Sequence, residues 1–364
     1  MNAINVDEAV KQRYSAGALV REEELCCPVS YNKEYLKILP PEILERDYGC
    51  GDPSAHVREG ETVLDLGSGA GKICYIAAQV VGPNGRVIGI DINDEMLALA
   101  RKHQSTVSSR LGFDNVTFLK GKIQDLALNL EGVEELLKQR PVKNSSDLLE
   151  LEAQIEDQRS RRPLISSESI DLVVSNCVLN LVRPDAKQAL FHEIFRVLKP
   201  GGRAVISDIV CDQDIPSAMQ QNTELWSGCI SGAYREDLFI KAFAAAGFQG
   251  MELLKRGSEP WKVIQGIQFW SVTVAAYKPK VSLGKGNLTV IYKGPFAQVT
   301  DDQGRKWERA VAQTLPSSEG SRFLSEPLAS HFEVIAHPEA AQVLNDFKPF
   351  TPLTRDSAKS SGCC

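Results

Sequence analysis

An open, mostly parallel α/β sheet of seven strands is the fold that this 364-residue chain predicts. Three observations predict it. Short apolar runs alternate with helical periodicity from about residue 59 to residue 280. A glycine-rich turn joins the first run to the first helix. An acid closes the next run. Alternation of this kind implies parallel pairing, right-handed crossovers and helices on both faces.

The elements follow in order. TVLDL (62–66) is a buried strand, followed by GSGAG and the helical ICYIAAQVV. RVIGID (86–91) is the second strand, and Asn93 or Asp94 can cap the helix whose apolar stripe runs Met96, Leu97, Ala100, Val107 and Leu111. VTFLKG (116–121), IDLVVSN (170–176) and RAVISDIV (203–210) are three more strands. The helix AKQALFHEIFRVL precedes the last of these and ends at Lys199-Pro200-Gly201-Gly202. MELLKR (251–256) and WSVTVAAYK (270–278) complete the seven. Too short a spacer separates them for a crossover helix, so the last strand can run antiparallel.

Residues 1–58 form an N-terminal cap that carries thiols, 59–280 the main domain, and 281–364 a small α+β unit with a loose tail. Residues 131–163 hold fourteen charged residues and interrupt the path between the third and fourth strands. There SSDLLELEAQIEDQRS predicts a surface helix capped by Ser145 or Ser146.

Composition narrows the function. The chain is 43% apolar and 24% charged, with a net charge of −6. That balance disfavours nucleic acid or an anionic membrane as the main partner. No apolar run reaches the roughly 18–20 residues of a transmembrane helix, and the first 25 residues lack a signal-peptide core. A cytoplasmic protein is expected, and a monomer.

Glycines let a strand–helix turn approach a ligand closely. Here Asp65 precedes Gly67-Ser68-Gly69-Ala70-Gly71, and Asp91 lies 20 residues after Gly71, placed to accept from both hydroxyls of a ribose. The dinucleotide fingerprint G-x-G-x-x-G/A requires glycine or alanine one position after Gly71, where this chain has Lys72, so the spacing here is G-x-G-x-G. A carboxylate at Asp65 disfavours pyrophosphate and suits an ammonium group. S-adenosylmethionine, with an amino-acid moiety and no phosphate, therefore fits better than NAD. At this point the chain resembles the class I methyltransferases, whose Rossmann-like fold carries VLDLGSGAG and the acid of GID.

Nine cysteines remain to be placed. In a reducing compartment scattered thiols are buried, reactive or ligating. Cys74 and Cys211 read as small buried hydrophobes. Cys177 ends the fourth strand beside Asn176, and Cys229 follows the fifth on the same rim. Cys50 in RDYGCG, and Cys26-Cys27 in ELCCPVS, precede the first strand in a segment free to fold over that rim. A structural zinc site lacks its short ligand spacing here. Thiolates prefer soft centres, and trivalent arsenic held by three sulfurs is pyramidal and keeps a lone pair that can take the sulfonium methyl in line. No general base is then needed, and the histidines at 56, 103, 192, 331 and 337 avoid the strand ends.

YGCG, VLDLGSGAGKICY, VSNCVLNLV, RVLKPGGRAVISDIV and LW-x-x-C-x-x-GA together resemble the arsenite S-adenosylmethionine methyltransferases. The resemblance runs from about Cys26 to Lys280. It implies methyl transfer to arsenite and methylarsenite for detoxification, with thioredoxin or glutathione as reductant. It implies arsenic bound by Cys50, Cys177 and Cys229, and a further thiol, Cys26 or Cys27, in disulfide exchange during turnover. It also turns Tyr48, Met96, Ile123, Gln124 and Asn176 toward the cofactor. The chain departs from the family in having Gly228, where glutamate is common, and in its long charged insertion. Carbon methylation of a quinone or other small molecule leaves the rim thiols without a purpose. A non-enzymatic thiol-based metalloid binder needs neither the glycine loop nor Asp91. The paired Cys363-Cys364 reads as a passive, solvated tail.

Overall fold

The computed structural model describes residues 6–22, 29–280 and 286–336. The chain divides into two compact units, Met1–Lys280 and Val281–Cys364, so the N-terminal cap belongs to the first.

Seven strands form the main path of the first unit's sheet: β1 (Thr62–Leu66), β2 (Arg86–Asp91), β3 (Val116–Lys120), β4 (Ile170–Asn176), β5 (Leu198–Cys211), β7 (Gln249–Arg256) and β9 (Ile267–Tyr277). Their order is β3-β2-β1-β4-β5-β9-β7. Two short strands, β6 (Tyr234–Arg235) beside β5 and β8 (Lys262–Ile264) beside β9, bring the sheet to nine. The pairs from β3 to β5 are parallel, while β9 runs antiparallel to both β5 and β7. A strand that returns without a crossover helix must pair this way.

Central strands of such a sheet are covered on both faces, so their apolar runs are continuous. Leu64, Leu66, Val173, Val174 and Ile206 are all fully buried. One face is closed by the helix Lys72–Val81, the other by the edge-to-face packing of Phe191, Phe239 and Phe243. Each such side chain contributes roughly 1.5–3 kcal/mol by leaving water.

The structure corrects the reading of the insertion in two respects. The insertion holds two helices, Leu130–Gln139 and Ser145–Arg161, where one was expected. The second is capped by Asn144, whose side chain accepts from the Asp147 N–H, and not by Ser145 or Ser146. Asn144 keeps the extended backbone of a cap, with φ of −152° and ψ of 175°, whereas Ser145 and Ser146 already lie within the helix. Asn93, one of the two expected caps, accepts from the Met96 N–H.

The cap comprises the helix Val6–Leu19, two short helices, and a 3-10 turn at Pro53–His56. The second unit is a three-stranded antiparallel sheet of β10 (Asn287–Tyr292), β13 (Ala312–Pro316) and β14 (Phe332–Ala336), with a hairpin of β11 (Gln298–Thr300) and β12 (Lys306–Glu308). Trp307, Phe323 and Phe332 form its core. Cys26, Cys27, Cys363 and Cys364 lie outside the described residues. Among those residues no helix is long and apolar enough to cross a membrane.

Candidate functional site

The carboxyl ends of β1, β2 and β4 open into a cavity of about 420 Å³. Ligands of open α/β sheets bind at such strand ends. Its wall includes Tyr48, Asp65, Gly67, Ser68 and Gly69, together with Asp91, Met96, Ile123, Gln124 and Asn176. Gly71 is the one residue of the expected cofactor set that is not in the wall. It sits one step behind, with φ of 87°, and starts the helix Lys72–Val81; a side chain there would run into the Phe118 ring.

The loop is built around Asp91. Its carboxylate accepts from the Gly69 N–H and the Asn93 N–H, each at 2.8 Å. At Gly69, φ of 50° and open space where a Cβ would stand leave the main chain exposed to the cavity. Ser68 Oγ is buried with no hydrogen-bond partner among the described residues. Burial pushes the Asp65 carboxyl up to about 7, opposed by the Cys74 thiol, which donates to it at 3.2 Å. Burial also raises the Asp91 carboxyl, opposed by the N–H groups that surround it. Cys74 is buried as expected, but it is a hydrogen-bond donor as well as a small apolar filler.

The thiols lie at the next stretch of the same rim. Cys177 follows β4 and is itself in the cavity wall. Cys50 comes from the cap loop and is joined to Cys177 as a disulfide, with Cα atoms 5.8 Å apart. Cys229 follows the short helix Thr223–Ser227, and its thiol donates to the Cys177 carbonyl at 3.1 Å. All three are buried, in one apolar cluster with Ile209, Met219 and Phe269. Cys177 and Cys229 have φ of 61° and 62°, a conformation that non-glycine residues rarely adopt outside functional sites. Cys26 and Cys27, the thiols expected in exchange, lie outside the described residues, and Cys50 is bonded to Cys177. Cys211 lies in the same cluster, its thiol donating to the Gln213 and Tyr234 carbonyls.

A family profile described as a methyltransferase domain matches residues 58–257, and a domain of unknown function matches 280–361. The chain is 35% identical over 252 residues to an arsenite methyltransferase of Aquipseudomonas alcaligenes, covering 67% of this chain and 62% of that one. It is 31% identical over 362 residues to an arsenite methyltransferase of Rattus norvegicus, covering 92% of this chain and 87% of the rat protein. The chain belongs to the arsenite methyltransferase family. It spans under two thirds of the bacterial relative's length. Among solved structures it is similar to an arsenic(III) S-adenosylmethionine methyltransferase of Chlamydomonas reinhardtii, with a TM-score of 0.56, 26% identity, and coverage of 85% of this chain and 97% of that one.

Against that family background, several residues at the site are new to the sequence reading. Tyr14, on the helix Val6–Leu19, lines the cavity and brings its hydroxyl 3.9 Å from Cys229 Sγ. Arg13 of the same helix stands 3.5 Å from where a side chain at Gly228 would begin. Asp208 is fully buried in β5, with a carboxylate oxygen within 4.8 Å of the Cys50 and Cys177 sulfurs. Burial raises its carboxyl to about 6, opposed by the N–H groups of Ile209 and Leu179 and by the Lys187 ammonium. A signal for it was present, since Ser207-Asp208 interrupts the apolar run RAVI…IV of a central strand. The helix Val6–Leu19 gave none, because its polar sequence resembles a solvated cap.

Proposed function

We propose that this protein transfers a methyl group from S-adenosylmethionine to trivalent arsenic, starting from arsenite and continuing with methylarsenite, as a detoxifying enzyme. The observation that carries this reading is the shared wall. Cys177 belongs both to the cavity of the glycine loop and to the buried thiol cluster with Cys50 and Cys229. A pocket for a methyl donor and a site for a soft, thiophilic acceptor therefore meet at one residue.

The residues present fit the donor. Asp65 faces the cavity with a carboxyl suited to an ammonium group, and Asp91 offers its remaining lone pairs to a ribose. Ser68 Oγ, without a hydrogen-bond partner among the described residues, can take one from a ligand. Met96, Ile123 and Tyr48 contribute apolar wall for an adenine, and Gln124 a polar edge. When bound, S-adenosylmethionine supplies a methyl on a sulfonium, which a nucleophile with a free lone pair can take.

The chain's own contribution is to hold that nucleophile. Once Cys50 and Cys177 are reduced, they and Cys229 can bind arsenic through three sulfurs, each a soft ligand that a hydroxyl cannot replace. The apolar surroundings keep water off the arsenic. None of the four described histidines lines the cavity, consistent with a reaction in which no proton must be removed from the acceptor. Thioredoxin or glutathione restores the thiols after each transfer, Cys26 or Cys27 relays the exchange, and the protein acts as a cytoplasmic monomer.

The test is direct. Purified protein, S-adenosylmethionine and a thiol reductant should convert arsenite to methylated arsenicals resolved by chromatography and mass detection. Failure to produce any, with arsenite bound and the donor bound, would overturn the reading.

A further inference from the structure

The resemblance turns Asn176 toward the cofactor, and the residue does stand in the cavity wall. Its amide, however, is fully committed elsewhere. Asn176 Oδ1 accepts from the Cys50 N–H at 2.9 Å and the Gly51 N–H at 3.0 Å. Asn176 Nδ2 donates to the Gly51 carbonyl at 2.7 Å and to the Tyr31 hydroxyl at 3.3 Å. An amide side chain has two acceptor sites and two N–H donors. All four are used within the protein.

The bonds converge on the main chain of the residue that carries the Cys50 thiol. From the opposite side, Ser271 Oγ in β9 donates to the Cys50 carbonyl at 2.5 Å. The Cys50 peptide is thus gripped at its N–H by β4 and at its carbonyl by β9. This arrangement also explains the two glycines of YGCG. A Cβ at Gly49 would fall on the Asn176 amide, and one at Gly51 on the Ser207 side chain. The Tyr31 hydroxyl extends the grip by donating to Asp47, which in turn pairs with Lys72 at 2.6 Å.

We propose that Asn176, with Ser271, is a positioning residue that clamps the Cys50 main chain so that the Cys50 thiol meets Cys177. The inference deepens the arsenic reading, which it rests on for its consequence: arsenite needs three sulfurs, and the third arrives on a loop. An untethered loop samples many positions, so the clamp acts by raising the effective concentration of one thiol at the other. In this role Asn176 acts through the Cys50 main chain.

Three measurements on the full chain test this, using Asn176→Ala, Cys50→Ser, the two combined, and Ser271→Ala. The first needs no arsenic. In a glutathione buffer, two protein thiols and one glutathione disulfide exchange to give the Cys50–Cys177 disulfide and two glutathiones, quantified by peptide mass mapping. Asn176→Ala should lower that equilibrium constant about tenfold or more, and Ser271→Ala should lower it in the same direction. Second, calorimetric affinity for S-adenosylmethionine should stay within about twofold of the parent in Ser271→Ala, whose side chain lies outside the cavity wall, and this also reports an intact fold. Third, Asn176→Ala should lower arsenite methylation about as much as Cys50→Ser does, lower methylarsenite methylation no further than Cys50→Ser does, and add nothing in the combined variant. An unchanged disulfide equilibrium in both Asn176→Ala and Ser271→Ala overturns the clamp, as does a large loss of donor affinity with that equilibrium intact. If Asn176→Ala fails to fold, Ser271→Ala alone decides by the same equilibrium. A parent whose disulfide depends on Asn176 but which methylates no arsenite sinks the arsenic reading and leaves the clamp standing.

Discussion

Replacing Asp65 by asparagine removes one buried carboxyl with little change of shape. Burial moves that carboxyl from its ordinary 3.8 to about 7, with the Asp91 and Asp47 charges adding to the rise. The folded protein therefore holds one more proton than the unfolded chain between about pH 4 and 7. Stability then falls as pH rises through that window and is level above it. Three pH units at 1.36 kcal/mol each give roughly 4 kcal/mol in total. In Asp65→Asn that part of the slope should vanish, leaving those of Asp208, whose carboxyl sits near 6, and of Asp91, which burial also raises. Urea midpoints from pH 4.5 to 8 measure the difference. Donor binding provides the opposite sign. If the Asp65 carboxylate pairs with the donor's ammonium, binding must release a proton below pH 7, so affinity should rise by up to tenfold per pH unit toward 7. It should decline again once the donor's own amino group deprotonates, near 7.7–8.0. Asp65→Asn should bind more weakly and show no rise below 7. Parallel stability curves for parent and variant from pH 5 to 7, or a parental affinity independent of pH there, would refute the reasoning.

Asp91→Ala should weaken donor binding about ten- to a hundredfold by calorimetry while leaving arsenite binding near parental, since it removes a charged acceptor and frees the Gly69 N–H. Serine at Cys177 or Cys229 should abolish methylation of both arsenicals, and X-ray absorption of the arsenite-bound parent should give three sulfur neighbours; oxygen or nitrogen in that shell argues against the site. Cys50→Ser should lose arsenite but spare methylarsenite, which needs only two sulfurs. Cys26→Ser with Cys27→Ser should keep arsenite binding and lose repeated turnover, and cycling at the parental rate with thioredoxin as sole reductant removes the relay.

How much of this was legible depends on how local each signal was. The strands β1 to β5 read correctly because a central parallel strand must be apolar along its length, as VLDL and VIGI are. The rim of the cavity was compact in sequence, since strand, glycine turn and acid sit within thirty residues and share one wall. The insertion read less well. The first helix, Leu130–Gln139, carries an apolar stripe at Leu130, Val133, Leu136 and Leu137 that the charged surroundings obscured, while Ser145–Arg161 has little periodicity and is marked mainly by its cap; neither buries a residue. The use of the Asn176 amide was hidden for a different reason. Its position beside the cavity follows from the strand, but the use of its amide depends on a loop 126 residues away. Tyr14 and Arg13 share that difficulty, because nothing in a polar N-terminal helix says which face of the molecule it covers.

Topology put Cys177 and Cys229 on one rim; a buried polar knot makes them converge. Each is held at a positive φ that costs about 1–3 kcal/mol. The opposing grip is larger. Asp208 accepts from the Leu179 N–H at 2.9 Å, and from the Asn180 amide and the Ile209 N–H at 2.8 Å each. Hydrogen bonds to a charged group contribute about 1.5–3 kcal/mol apiece. Asn180 also donates to the Ile209 and Cys229 carbonyls, and so ties the turn after Cys177 to the turn at Cys229. Lys187 closes the far side by donating to the Gly232 carbonyl, and Gly232 has no room for a side chain against the Asn180 carbonyl. The strain is thus confined to the two thiol-bearing residues and over-determined by their neighbours. A thiol site built this way is fixed before any ligand arrives, except at Cys50, whose loop position rests on the side chains of Asn176 and Ser271.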